Sequence, residues 1–211
     1  MTRPLLLVVA VTMLGAWSTV GHAQAGRRGE VLDANTASER QLQGMPGITA
    51  ELSRAILQRR PFASVLDFDT LLATSLSPSQ RAETYKRQFV QVNLNTASDA
   101  EILLIPNLGS RVLDELKASR PYRALAQFRR ELGKSVTEQE LTELEQYVFV
   151  PLNLNTASDA DILTIPGLGN RMLGEFKEYR PYRSMAQFRR EIGKYVNDKE
   201  VARLERYVTL D

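Results

Sequence analysis

The chain has 211 residues, a quarter of them charged, a formal net charge of +2, one histidine and no cysteine. Disulfides, thiol catalysis and a lipid anchored on cysteine are excluded. The charge also falls far short of the basic excess of a dedicated nucleic-acid protein.

In chain order the first element is an address. Arg3 supplies a short positive start, residues 5–17 an apolar core, and Ala23-Gln24-Ala25 a small-x-small cleavage site. Residues 1–25 are therefore expected to be a cleaved signal peptide. The apolar run is shorter than the ~20 residues a bilayer-crossing helix needs. The mature chain is expected to have no membrane span and to be exported, periplasmic or otherwise extracytoplasmic. Cleavage also removes Trp17 and His22, the only residues of their kinds. Without histidine or cysteine, the commonest general base, the usual zinc ligands and the thiol nucleophile are gone. No Walker loop or Gly-x-Ser-x-Gly elbow replaces them. Two-carboxylate and serine–lysine chemistry stay open, but an enzyme is not expected. Removing Arg3 leaves 26 basic residues against 25 acidic ones, a net charge of about +1.

Beyond the signal the chain repeats itself. Asn-Thr-Ala-Ser begins at Asn35, Asn95 and Asn155, 60 residues apart each time. A proline follows each start by eleven residues (Pro46, Pro106, Pro166), and Arg-Pro-aromatic comes later still, at Arg60-Pro61-Phe62, Arg120-Pro121-Tyr122 and Arg180-Pro181-Tyr182. A fixed period means one supersecondary unit copied three times. The expected units are residues 26–91, 92–151 and 152–211; the last two match at roughly 36 of about 59 positions and the first has diverged.

Copy three gives the clearest local reading. Thr156 with Asp159, or Ser158 with Asp161, has the form of an N-terminal cap. Ile162, Leu163 and Ile165 then make a short apolar face, and Pro166 is expected to close that helix. Gly167-Leu168-Gly169 predicts a tight turn and residues 170–179 a second helix, stopped by Arg180-Pro181. Residues 184–192 and 198–208 predict two more helices, with Gly193 as a C-terminal cap. Strand signals are weak: residues 89–92 and 147–150 are short β-leaning junctions at most. The expected fold is all-α, three tandem units of about 60 residues with four or five short helices each, near the lower size limit for an independent core.

The stretch Ile162-Leu163-Thr164-Ile165-Pro166-Gly167-Leu168-Gly169-Asn170-Arg171 resembles the helix-hairpin-helix motif. With the preceding Val-Asn-Leu-Asn-Thr-Ala and the following Arg-Pro-aromatic, the units look like exported, ComEA-type competence proteins that bind incoming DNA. The resemblance implies sequence-independent binding of the phosphate backbone. Glycines leave no side chain between backbone N–H groups and a phosphate, and the second helix brings its N-terminal dipole to the same place. The implied contacts are Gly167, Leu168, Gly169, Asn170 and Arg171 in copy three and Asn107, Leu108, Gly109, Ser110 and Arg111 in copy two. Leu168 is expected to plug the hairpin's own core. The resemblance implies no cofactor, although the carbonyls of such a loop can hold a monovalent cation. Copy one reads Pro46-Gly47-Ile48-Thr49-Ala50-Glu51, with a β-branched residue and a carboxylate where the others have glycine and arginine. The copies therefore rank three, two, one for DNA contact.

Weaker candidates are Gly47 and Ile48 in copy one and Lys117, Lys177, Arg129, Arg130, Arg189 and Arg190 on the basic front of copies two and three. Residues 111–134 and 171–194 each hold seven basic residues against three acidic ones. Those arginines either contact phosphate or pair with nearby acids on solvated helices. Phe128, Phe188, Tyr122 and Tyr182 either stack on bases or, as their spacing suggests, belong to the core. The second turn of each unit, around Gly133 and Gly193, has one glycine and is expected to pack against the first. The rival function is an exported interaction or scaffold protein with an envelope protein as partner, as in the extrinsic photosystem subunit that shares the motif. Fold resemblance alone does not separate the two.

Overall fold

The computed structural model describes residues 31–211; the expected signal peptide lies outside the described residues. Unit one opens on β1 (Leu32–Asp33), continues through α1 (Glu39–Gln43), α2 (Ala50–Arg59), α3 (Val65–Leu72) and α4 (Pro78–Tyr85), and closes on β2 (Gln88–Phe89). Unit two repeats this as β3 (Val92–Asn93), α5 (Asp99–Ile102), α6 (Ser110–Ala118), α7 (Leu125–Leu132), α8 (Glu138–Leu144) and β4 (Val148–Phe149). Unit three does so as β5 (Leu152–Asn153), α9 (Asp159–Ile162), α10 (Asn170–Glu178), α11 (Met185–Ile192), α12 (Asp198–Glu205) and β6 (Val208–Thr209).

The chain is not all-α, contrary to the sequence expectation. Among the described residues twelve helices are interspersed with three two-stranded sheets, which makes the fold mixed α/β. In each unit the first strand pairs in parallel with the last: Leu32 with Gln88, Val92 with Val148, Leu152 with Val208. The β-leaning junctions thus become strands, and the helix expected over residues 198–208 ends at Glu205 so that Val208 can pair. Two-residue strands carry no period-2 pattern, and their partners lie 56 residues away, so the local signal goes no further than a β-leaning junction.

The helices begin where side-chain caps dictate. Ser158 and Asp161 form the reciprocal capping box of α9, as Ser98 with Glu101 and Ser38 with Gln41 do for α5 and α1. Pro166 does not terminate a helix: α9 ends at Ile162. Instead Ile165-Pro166-Gly167-Leu168 is a turn in which the Leu168 amide donates to the Ile165 carbonyl at 3.1 Å. Gly167 has φ +75°, Gly47 +81° and Asn107 +61°. Proline at the second turn position and a left-handed residue at the third are the composition of a type II turn. Here Asn107 substitutes for glycine at the position where asparagine is best tolerated.

The repeated tetrad has a structural task. Asn155 Nδ2 donates to the Tyr182 carbonyl at 2.9 Å, and the Tyr182 amide donates back to Asn155 Oδ1 at 2.7 Å. Asn95 makes the same pair of bonds to Tyr122 and Asn35 to Phe62. This side chain pairs with the backbone as a strand neighbour would. It fastens the first loop of each unit to the aromatic that follows the cis Arg-Pro bond. Those aromatics, with Phe128 and Phe188, are buried in the core and are not available to bases.

Units one and two share one core. Phe62, Phe68, Tyr85, Phe89 and Tyr147 follow one another at ring-centroid distances of 5.1, 6.5, 5.7 and 5.1 Å, the last step crossing between units. Unit three has its own cluster around Phe176, Tyr182 and Phe188. It also returns to unit one: Tyr207 Oη donates to Asp33 at 3.4 Å, Lys199 to the Gln58 carbonyl at 3.4 Å, and Arg206 to the Gln91 carbonyl at 2.9 Å. Among the described residues no helix is long and apolar enough to cross a membrane.

Candidate functional site

The start of the second helix in each unit is where the sequence placed its candidate site, and the three starts differ chemically. Gly169 is the N-cap of α10 and Gly109 that of α6; neither offers a side-chain cap, and a Cβ built on either would meet nothing within 4 Å. The amides of Asn170 and Arg171, like those of Ser110 and Arg111, find no acceptor among the described residues. Both starts are exposed and carry the positive end of a nine-residue helix. Leu168, 7 % exposed, is buried beneath its turn as expected, and Leu108 is partly buried.

Unit one is closed by its own side chains. Thr49 caps α2, its hydroxyl accepting from the Leu52 amide at 3.2 Å. Its backbone is extended (φ −74°, ψ 167°), so the β-branched residue creates no strain. Glu51 is held below the usual carboxylate range first by its own backbone N–H and then by the Thr49 hydroxyl. An anion therefore already sits over this helix start. Gly47 and buried Ile48 build the same turn as in the other units, with the acceptor supplied from within.

The cations do not assemble into a basic face. Lys117 pairs with Asp99 at 2.7 Å and Lys177 with Asp159 at 2.8 Å, tying each second helix to the first turn of the helix before it. Arg129 pairs with Glu138 and Glu145, Arg189 with Glu205, Arg130 with Glu131 and Arg190 with Glu191. The basic front and the acidic rear, separate in sequence, meet across adjacent helices. Pairs of this kind near the surface neutralise one another and leave little net field. Arg111 donates to the Ser135 carbonyl at 2.9 Å, leaning toward the second turn of its unit. Arg171 is exposed and makes no hydrogen bond or ion pair with a described residue.

One residue escaped sequence reasoning. Arg203, on α12 and 3 % exposed, donates through Nη1 to the Pro166 carbonyl at 2.5 Å and pairs with Glu200 at 2.6 Å. Beside it Thr36 of unit one lies against the turn: a Cβ on Gly167 would come within 3.0 Å of the Thr36 methyl. The available signal was a comparison of the copies, since Glu83 and Glu143 stand where unit three has Arg203.

The turn geometry separates its two glycines by experiment. Gly167→Ala is expected to cost about 1–2 kcal/mol in thermal or urea unfolding, from the left-handed backbone. Gly169→Ser should cost nothing and add a cap. Equal losses at the two sites would contradict a left-handed backbone at Gly167 and an extended one at Gly169.

Among the described residues no group of three or more His, Cys, Asp or Glu could hold a metal ion. Comparison with protein-family profiles, with curated proteins and with solved structures returns no match.

Proposed function

We propose that the chain binds DNA outside the inner membrane without reading its sequence, through the N-terminal turns of α10 and α6. The observation that carries this reading is the contrast among the three helix starts. Where unit one places Thr49 and Glu51, units two and three place an uncapped glycine followed by an arginine two positions on. Backbone N–H groups and a helix dipole facing open space suit a phosphate oxygen, and they suit it whatever base is attached. The resemblance to exported helix-hairpin-helix proteins implies the same ligand, with uptake of incoming DNA as the physiological role. About 4–6 phosphate contacts give affinity on the order of micromolar at physiological salt and a log–log salt slope of about −4 to −5. Two binding starts on one chain raise the avidity above that of either alone.

The test is fluorescence anisotropy of a labelled duplex of about 30 base pairs, titrated in low and in physiological salt. Gly169→Asp, Gly109→Asp and the double variant provide the controls. At the extended backbone of Gly169 and Gly109 an aspartate fits without strain and caps its helix, so the fold is kept while a carboxylate takes the phosphate position. Salt-sensitive binding that weakens stepwise and vanishes in the double variant supports the reading. Binding that survives the double variant, or none in low salt, rejects it.

A second reading, an interaction protein of the envelope, is favoured by one contact. Thr36 lies against Gly167, so the turn of unit three already serves as a packing element between units. Partner binding that is indifferent to salt and to Gly169→Asp would select this reading.

A further inference from the structure

The chain has seven tyrosines, and five of them, Tyr85, Tyr122, Tyr147, Tyr182 and Tyr207, are buried. The other two are partly exposed and stand together in unit three. Tyr179 caps the C-terminus of α10, and Tyr195 lies in the turn between α11 and α12. Their hydroxyls are 2.7 Å apart, with ring centroids at 6.4 Å and ring planes inclined at 48°. Unit one has Arg59 and Ser75 at these places, and unit two has Ser119 and Ser135. The repeat therefore folds without the pair.

Two charged groups adjoin it. The Lys194 ammonium lies 4.9 Å from the Tyr179 ring centroid and is neutralised by Glu191. Glu175, one helical turn before Tyr179, has a buried carboxylate oxygen that accepts no hydrogen bond from a described residue. The Tyr195 hydroxyl is held above its ordinary value first by its bond to Tyr179 and then by Glu175. This phenol therefore keeps its proton, and a carboxylate stands beside it to take that proton when an electron leaves.

We propose that Tyr179 and Tyr195 form an oxidative modification site, which a one-electron oxidant of the peroxidase class couples into a carbon–carbon-linked dityrosine within one chain. Each phenol gives one electron to the oxidant and releases its proton, Tyr195 to Glu175. The two phenoxyl radicals join through the ring carbons next to their oxygens. The hydrogen on each joined carbon is then lost as a proton while the oxygen regains one, restoring both phenols. The net change is the loss of one hydrogen from each ring, and hydrogen peroxide takes up the two electrons and two protons as it becomes two waters. The ring edges that meet at 2.7 Å are the edges that join, and Tyr195 sits outside any helix, which lets its ring close the gap. The chain has no cysteine, so a disulfide cannot serve in this role. The link would close a span of 16 residues and hold the end of α10 to the turn after α11. It stands apart from DNA binding, since Tyr179 is at the end of α10 opposite to Gly169.

The test treats the full chain, kept dilute, with a haem peroxidase and hydrogen peroxide. Dityrosine fluorescence, intact mass and peptide mapping read the product. The expected product is a monomer lighter by two hydrogens, in which the peptides that hold Tyr179 and Tyr195 are joined. Tyr179→Phe and Tyr195→Phe should each abolish it. Phenylalanine keeps the ring, so both variants retain the fold, which the melting temperature verifies. Half-buried Met172 and Met185 gain oxygen under the same oxidant, a mass change of opposite sign. Cross-linked dimers in place of the lighter monomer overturn the proposal. So does a lighter monomer that persists in either variant, and so do tyrosines left unmodified after the methionines are fully oxidised.

Discussion

Arg203→Ala is expected to lower stability by about 2–3 kcal/mol, read as a lower midpoint in urea unfolding. The guanidinium is 3 % exposed and all its bonds stay within unit three: two to Glu200, at 2.8 and 2.6 Å, and one to the Pro166 carbonyl. Burial acts to lower its proton affinity and the Glu200 bonds act to raise it, the bonds prevailing. Truncation leaves the Pro166 carbonyl without its donor and opens a void beside Thr36. The Glu200 side chain remains 36 % exposed and can rehydrate, which keeps the loss below that of stranding a fully buried charge. Arg203→Lys should recover less than half of the loss, because one ammonium cannot span Glu200 and Pro166 in the arginine's planar geometry. A midpoint within error of the parent chain would show that α12 is held to the turn by apolar packing alone.

Asn35→Ala is expected to cost about 2–3 kcal/mol, from two backbone groups of Phe62 that lose their partners in a buried setting. Asn35 is 7 % exposed, and its amide both donates to and accepts from Phe62, at 3.2 and 2.8 Å. Asn35→Asp keeps an acceptor for the Phe62 N–H but turns a carboxylate oxygen toward the Phe62 carbonyl, so it should cost at least as much. Amide hydrogen exchange provides the local check. The Phe62 amide should lose its protection in both variants, and unchanged protection there would remove Asn35 from its assigned role.

The tetrad shows how far the sequence could be read. Its recurrence marked out three copies of one pattern, and of the two cap pairs that residue type and spacing offered in copy three the structure forms the second, Ser158 with Asp161. The turn around Gly167 was legible as a turn, but its start was not: Pro166, expected to close a helix, is instead the second residue of the turn Ile165-Pro166-Gly167-Leu168. Recurrence does not separate a clamp from a site, however, and the conspicuous Asn155 is fastened to Tyr182 across 27 residues. The basic front was an artefact of reading charge along one dimension. Arg189 finds Glu205 sixteen residues on, and only the packing of α11 against α12 brings them together. Thr49 was read as damage to the turn because a β-branched residue replaced a glycine, but that glycine position never needed a left-handed backbone. The strands showed only as β-leaning junctions for the opposite reason: what makes them strands is pairing between distant ends.

That pairing of ends has a mechanical consequence. Because β1 and β2 are parallel, the chain enters a unit at one end of the ladder and leaves it at the other. Tension applied along the polypeptide therefore draws the two strands past each other lengthwise, loading their hydrogen bonds together instead of peeling them one at a time. Only residues 90–91 and 150–151 separate one such clasp from the next, so a pull on the chain meets three shear-loaded fasteners in series before any helix is stretched.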